Sequence, residues 1–148
     1  MKIHEVKVYQ EFDAPASQIW EAMNDHATFG KMMGQKVVRI VDSDDPSNVN
    51  GVGSIRSLGL PVVVEETIMR SEKSTLIEYK ITKGTPLHHH YGSIRFTDLS
   101  AGRSSVTYTI ELGSRIPLVA AIVRAALQKG IADGLRNHAR RLNKKQTV

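Results

Sequence analysis

The longest helical pattern in the sequence is PLVAAIVRAALQKGIADGLRNHARRL, residues 117–142. Apolar and small residues recur in it every three or four positions for more than six turns, which predicts one long amphipathic helix. Its apolar stripe consists of Val119, Ile122, Val123, Ala126, Leu127, Gly130, Ile131, Gly134, Leu135, His138, Ala139 and Leu142. A helix of about 25 residues is about 38 Å long, so it is long enough to cross a curved sheet.

The chain before this helix reads mainly as strands. Residues 3–12 alternate between an apolar and a polar face, and residues 14–24 and 28–33 predict two short helices. Six further segments are separated by glycine, proline, serine or charged residues: 37–42, 53–58, 62–69, 75–82, 90–98 and 105–112. Their connections are too short for helical crossovers, which favours antiparallel pairing. We therefore expect a single α+β domain over residues 1–148, a seven-stranded antiparallel curved sheet wrapped on the C-terminal helix.

Composition restricts the function classes. The chain has no cysteine, which excludes disulfides and thiolate metal sites. Residues 113–148 hold eight basic residues and one acidic residue, a net charge of +7, whereas residues 1–112 hold 12 basic and 14 acidic residues, a net charge of −2. We interpret the basic residues as the solvated face of the helix. Because aromatic residues are only 5% of the chain, we expect no nucleic-acid partner. No apolar run approaches about 20 residues, so we expect a cytoplasmic protein without stable membrane insertion.

Several local motifs, taken in order, resemble the START-like superfamily with the helix-grip fold, and in particular the small bacterial polyketide cyclase/dehydrase (SRPBCC) group. The matching pieces are Ala14-Pro15 before Ile19-Trp20, Asn24-Asp25, residues 51–56, Val64-Glu65, Tyr79-Lys80-Ile81 with Gly84 and Pro86, residues 91–94 and residues 130–135. The resemblance implies a deep, mostly apolar cavity between the sheet and the long helix. It does not imply one activity.

Two functions follow as expectations from this resemblance. The first is binding or transport of a small hydrophobic ligand, such as a lipid, a polyketide or an aromatic metabolite. The alternative is a polyketide cyclase, aromatase or dehydratase that shuttles protons in the same cavity. Because the sequence has no dinucleotide loop, phosphate loop or nucleophile elbow, we expect no cofactor. The oligomeric state is left open.

Gly130 and Gly134 lie one turn apart on the predicted stripe. Each glycine should cost about 1 kcal/mol relative to alanine in a helix interior, which suggests that space is needed there. One interpretation is room for a ligand or for a closely approaching strand. The other is a local bend or close packing against the sheet without any ligand.

Arg56 and Glu65 lie in adjacent predicted strands joined by a turn near residues 60–61, so we expect the two side chains to lie nearly opposite each other. Inside a cavity they would anchor a polar group or transfer protons. Outside it they would form a surface ion pair worth less than about 1 kcal/mol. The resembled group often has Arg and Glu at these places, which favours a lining role.

Three consecutive histidines, residues 88–90, form the most conspicuous polar run. No further ligand lies at a recognisable spacing, so we expect no metal. A surface loop at a strand start is favoured; the alternative places one histidine at the cavity mouth, where an ordinary pKa near 6.5 would make it an acid or a base. His138 is expected to be a structural residue, which either packs on the sheet edge or stabilises the helix terminus. Tyr79, Tyr91 and Tyr108 either direct hydroxyls into the cavity or are half-buried sheet residues.

The predicted ligand-cavity residues share positions on inward strand faces or on the helical stripe. They are Arg56, Glu65, Tyr79, Tyr91, Tyr108, Ile94, Phe96, Ile122, Val123, Ala126, Leu127, Gly130, Ile131 and Gly134. The catalytic candidates, none of them decisive, are Arg56, Glu65 and His90.

Overall fold

The computed structural model describes residues 1–59 and 64–146, and side chains through Asn143. The elements follow in the order β1 (Ile3–Phe12), α1 (Ala16–Asn24), α2 (His26–Met32), β2 (Val37–Val41), β3 (Ile55–Leu58), β4 (Val64–Glu72), β5 (Leu76–Lys83), β6 (His89–Asp98), β7 (Ser104–Gly113) and α3 (Val119–Gln146). The predicted turn at residues 60–61 and the predicted strand start at residue 62 lie outside the described residues, as do the side chains of Lys144 and Lys145.

The strands form one antiparallel sheet in the order β1-β7-β6-β5-β4-β3-β2. Consecutive strands pair from β2 to β7, and β1 adds to the free side of β7, so that β1 and β2 are the two edges. The fold class expected from the sequence is confirmed. The inner face of the sheet carries the core, including Val6, Ile68, Ile94 and Leu112.

The two short helices begin at polar caps of different origin. The Asp25 carboxylate accepts from the backbone N–H of Thr28 at 3.0 Å and fixes the start of α2 locally. The first N–H of α1, from Ala16, donates instead to the carboxylate of Asp98 at 2.8 Å. This carboxylate lies at the end of β6, so α1 is tied to the far part of the chain.

Helix α3 packs alongside the edge strand β1. The Gln128 side chain accepts from the backbone N–H of Lys7 at 3.2 Å and donates to its carbonyl at 2.9 Å. Arg124 Nε donates to the backbone carbonyl of Glu5 at 2.9 Å. Polar side chains of the helix therefore cover peptide groups that an edge strand would otherwise leave unpaired.

The packing of α3 against β1 shows that the predicted apolar stripe is only partly buried. The second half of the stripe is buried as expected, at Ile131, Gly134, Leu135, Ala139 and Leu142. In the first half, Val123 and Leu127 are half-buried, whereas Ile122, Ala126 and Gly130 lie on the exposed face. The physical reason is that Arg124 and Gln128 occupy the helix positions that face β1, which turns the neighbouring apolar positions outward.

The two stripe glycines have different surroundings. A Cβ added to Gly134 would lie 2.6 Å from the backbone oxygen of Met32 at the end of α2, which requires a close approach of the two helices. A Cβ added to Gly130 would meet no atom within 4 Å. Close packing therefore accounts for Gly134, and its partner is α2 rather than a strand.

These surroundings predict opposite effects for two matched substitutions. Gly130→Ala should raise the free energy of unfolding by about 0.5–1 kcal/mol, because alanine is the better helix residue and its methyl group meets nothing. Gly134→Ala should lower it, since the methyl group would collide with the Met32 carbonyl. Urea unfolding followed by circular dichroism measures both values. Equal stabilisation by both substitutions would contradict the close approach of α3 and α2.

Candidate functional site

A buried ion pair lies on the inner face of the sheet. Arg56 on β3 and Glu66 on β4 are direct cross-strand partners. Arg56 Nε donates to Glu66 Oε1 at 2.8 Å, and the two side chains are only 1% and 8% exposed. Burial raises the pKa of the Glu66 carboxyl, while the neighbouring Arg56 charge acts in the opposite direction. A desolvated pair of this kind is costly to place in a core, which makes it a candidate for a functional role.

The predicted partner of Arg56 was wrong by one residue. The register pairs Ser57 with Glu65 and Arg56 with Glu66. Since side chains alternate along a strand, this shift places Glu65 on the opposite face, where its cross-strand partner on β5 is Lys83. The expected Arg–carboxylate pair exists, but Glu65 does not belong to it.

The Arg56 guanidinium lies between two aromatic rings. Its Cζ atom is 4.2 Å from the ring centroid of Phe29 on α2 and 4.7 Å from that of Tyr79 on β5, within the range of cation–π attraction. Its Nη2 atom is fully buried and has no hydrogen-bond partner. A buried charged donor left unpaired is expensive, so an acceptor brought from outside the chain would remove a real energetic cost.

Two buried tyrosines adjoin this pair. The hydroxyls of Tyr79 and Tyr108 are hydrogen-bonded to each other. Burial raises the pKa of both phenols, and the Glu66 carboxylate raises both further. They are therefore protonated near neutral pH. One O–H donates to the other hydroxyl, which leaves a single phenol proton to donate outward. Gly92 lies opposite Tyr79 in the sheet, and a Cβ there would come within 2.5 Å of the Tyr79 ring, so the glycine is what lets the ring lie flat over β6.

His90 also points to the inner face. Its ring centroid lies 5.6 Å from that of Tyr79, and its Nδ1 accepts from the backbone N–H of Ile81 at 3.1 Å. Burial lowers the pKa of His90 to about 4, and the charges of His89 and Arg56 contribute. The ring is thus neutral with its proton on Nε2. The expected pKa near 6.5 is not met. His90 can donate a hydrogen bond from Nε2, whereas the lone pair of Nδ1 is occupied by the Ile81 N–H.

The other two histidines of the run lie apart from this cluster. His89 Nε2 is 3.3 Å from Glu111 Oε2, and His88 Nδ1 accepts from the backbone N–H of Arg115 at 3.1 Å. Within residues 1–59 and 64–146, no group of three or more histidine or carboxylate side chains is arranged to hold a metal ion. In the same part of the chain, no helix is long and apolar enough to cross a membrane.

The remaining predicted residues divide between the two faces of the sheet and the helix. Ile94 and Phe96 lie on the inner face with Tyr108. Tyr91 lies on the outer face, where its hydroxyl donates to Glu78 Oε1 at 3.1 Å, so its predicted lining position is wrong. His138 packs edge-on against the Phe12 ring at 5.9 Å between centroids, as expected for a structural residue.

Two residues of the cluster were missed at the sequence level, and both come from α2. Phe29 covers one face of the Arg56 guanidinium. His26 is 2% exposed; its Nε2 lies 3.2 Å from Ser54 Oγ, and its Nδ1 has no partner. Burial, with the positive charges of Arg56 and Arg39, lowers the pKa of His26 to about 3. The Asp25 cap marks the helix start, but a seven-residue helix has too few turns to show which side faces inward.

The rings of Phe29 and Tyr79 cover the Arg56 guanidinium. Two surface depressions lie elsewhere, each about 300 Å³ in volume. Both are lined by Asp45, Asn48 and Ser71, and neither contains a residue predicted for the ligand cavity.

A protein-family model and several solved structures agree with this fold. The model of the family described as "Polyketide cyclase / dehydrase and lipid transport" matches residues 4–143. The chain belongs to this family, which confirms the resemblance read from its motifs. A search of curated proteins found no match.

Solved structures with similar folds come from several organisms. A START superfamily protein from Mycobacterium smegmatis superposes with a TM-score of 0.76 at 12% identity, covering 94% of this chain and 99% of the other. An aromatase/cyclase from Streptomyces sp. R1128 gives 0.74 at 17% identity, covering 95% of each chain. Norcoclaurine synthase from Thalictrum flavum gives 0.69 at 14% identity, covering 90% of this chain and 91% of the other. At these identities the likeness shows the fold alone.

The burial of His26 predicts how stability depends on pH. Its pKa is about 3 in the folded chain and 6.5 as a reference, so folding disfavours its protonation. Its contribution is fully present above pH 6.5 and is lost as the pH falls toward 3. Between pH 7 and pH 5 the loss should reach about 2 kcal/mol. Urea unfolding at both pH values should show a smaller loss for His26→Asn than for wild type, whereas the exposed control His88→Asn should match wild type. An unchanged loss in His26→Asn would show that His26 protonates freely in the folded state.

Proposed function

We propose that this protein binds a small, mainly apolar molecule whose oxygen atom accepts a hydrogen bond from Nη2 of Arg56. The observation that carries the proposal is the unpartnered Nη2 of a guanidinium that is 1% exposed. The family description, which includes lipid transport, supports it. The apolar body would lie against Phe29, Ile94 and Phe96, in keeping with the apolar lining of most ligand sites.

The charge of the cluster favours a neutral oxygen, such as a carbonyl or a hydroxyl. Glu66 already balances the charge of Arg56 at 2.8 Å. A carboxylate or phosphate on the ligand would bring a second negative charge into a desolvated site, which is costly without its own partner. The one free O–H of the Tyr79–Tyr108 pair and the Nε2–H of His90 would add neutral donors for such a group.

A ligand can reach Arg56 only if a side chain that covers it moves, and the proposal includes this movement. Phe29 covers one face of the guanidinium and belongs to α2, a helix of only seven residues. Displacing the Phe29 ring is the smallest change that would admit a ligand oxygen to the inner face. The sheet residues on the other side, Tyr79 and Tyr108, are fixed by cross-strand pairing.

Matched aromatic probes test this proposal. Isothermal titration should show that 2-acetylnaphthalene, a neutral ketone, binds wild type more tightly than 2-naphthoate, which has a carboxylate on the same ring system. Glu66→Gln should reverse the preference, because the Arg56 charge would then be free to pair with the probe carboxylate. Native mass spectrometry of the gently purified protein should also show a co-purified apolar molecule.

The control replaces the ion pair by apolar residues of similar size. Arg56→Met/Glu66→Leu leaves no buried charge unpaired, so the fold should be retained, and thermal unfolding verifies it. This variant should lose at least about tenfold in affinity for the ketone, the value of one buried hydrogen bond from a charged group. Equal binding by wild type and the double variant, or no binding of either probe by wild type, would refute the role of Arg56.

A catalytic function is the second candidate, and the pair of protonated tyrosines favours it. Together with His90 Nε2, the hydroxyls of Tyr79 and Tyr108 could polarise a carbonyl, as a dehydratase or cyclase requires. A base is also needed, and in the described part of the cluster the carboxylate of Glu66 is held by Arg56. The geometry therefore supports binding over proton shuttling.

Proton exchange separates the two candidates. If the site only binds, the methyl protons of 2-acetylnaphthalene should exchange with D₂O no faster with the protein than in buffer, as followed by proton NMR. Acceleration by wild type that is lost in Tyr108→Phe, with probe affinity retained, would establish proton transfer and overturn the binding-only function.

A further inference from the structure

The outward surface at the start of α3 is mainly apolar. Leu118, which directly precedes the helix, and Ile122 are 75% and 67% exposed. Ala121, Ala125 and Ala126 are also exposed. Leu118 and Ile122 are one turn apart, and the Ile122 N–H donates to the Leu118 carbonyl at 3.0 Å. We call these five residues the apolar face.

The second half of the same helix is different. Its exposed side chains include Arg136, Asn137, Arg140 and Arg141, as expected for a solvated helix. Simple solvation of α3 therefore does not account for the apolar face. Contiguous exposed apolar surface usually marks a contact with a partner or a membrane.

Leu118 also has an unusual backbone conformation. Its φ is +69°, in the left-handed region that non-glycine residues seldom adopt. Its side chain has the highest exposure among the large apolar residues of the described chain. A strained backbone that holds an apolar side chain in water is a feature that folding alone does not favour.

Basic residues outnumber acidic ones in the sequence around the apolar face. Residues 113–132 contain Arg115, Arg124 and Lys129 and no acidic residue. Both arginines are exposed, but Arg124 faces β1, where it donates to the Glu5 carbonyl. Lys129 contributes less, because its Nζ lies 2.7 Å from the carboxylate of Asp133.

We propose that the apolar face docks on an anionic phospholipid surface. Leu118 and Ile122 would enter the boundary between headgroups and acyl chains, and Arg115 would meet the phosphates. Five side chains, three of them alanine, are too few for a stable protein interface, which buries about 800 Å² on each partner. A membrane surface needs no such area, because apolar insertion and charge attraction act together.

Vesicle co-sedimentation tests this docking. Wild type should bind vesicles of phosphatidylcholine and phosphatidylglycerol but not vesicles of phosphatidylcholine alone, and the binding should weaken as salt is raised. Leu118→Gly/Ile122→Ser should lower the partition coefficient at least about tenfold, through the loss of two apolar side chains. The glycine suits the positive φ of residue 118, so this variant should keep its fold. Arg115→Gln should lower the coefficient about fivefold, the effect of one charge near the surface.

The matched control is Val38→Ser/Ile40→Ser, which removes two other exposed apolar side chains from the edge strand β2 and should bind like wild type. Equal loss in both double variants, or no wild-type binding to anionic vesicles, would overturn the proposal. A dimer in sedimentation velocity that Leu118→Gly/Ile122→Ser disperses would assign the face to a second copy instead. Arg56→Met/Glu66→Leu should bind vesicles normally, so this proposal and the ligand site can fail separately.

Discussion

The docking of α3 against the edge of the sheet is the constraint on which the rest of the structure depends. Strand β1 pairs with β7 on one side only, and the peptide groups on its other side need partners. Gln128 and Arg124 provide them at 2.9–3.2 Å. Since these positions must face β1, the phase of the helix is set by polar bonds, and the apolar positions on its far side are left in water. The core under the second half and the apolar face of the first half are consequences of one orientation.

The ion pair of Arg56 and Glu66 plays the corresponding part inside the molecule. The pair places two opposite charges on the inner face, so its net charge is close to zero. Only one side of the guanidinium, however, has a hydrogen-bond acceptor. Glu66 holds Nε, two rings cover the faces, and Nη2 is left over. The neighbouring groups, a pair of phenols with one free O–H and a neutral imidazole with its Nε2–H, offer donors. Because the cluster offers hydrogen-bond donors and its Glu66 carboxylate is bound to Arg56, it is suited to binding an acceptor oxygen of a ligand and poorly suited to removing a proton from one.

The sequence predicted the order of elements, the antiparallel sheet and the presence of an arginine–carboxylate pair, because hydrophobic period and turn chemistry are local properties. It failed where long-range contacts decide. The partner of Arg56 depends on the strand register, and a shift of one residue moves every side chain of a strand to the opposite face. Tyr91 was likewise assigned to the wrong face. The phase of α3 depends on bonds to β1, 119 and 121 residues away in the chain. His26 and Phe29 were missed because a helix of seven residues shows no clear apolar side.

Helix α2 connects the inner cluster with α3. It supplies Phe29, which covers Arg56, and it ends at Met32, whose carbonyl oxygen lies only 2.6 Å from the place of an added Cβ at residue 134. His26, at its other end, is bonded to Ser54 two residues before Arg56. Three contacts on one short helix thus link the ion pair to the long helix. A shift of α2 that moves Phe29 off the guanidinium would therefore also change the contact between Met32 and Gly134. Because Gly134 has no Cβ, the backbone of α2 can approach α3 closely there, which explains why a residue that weakens a helix lies in its buried half.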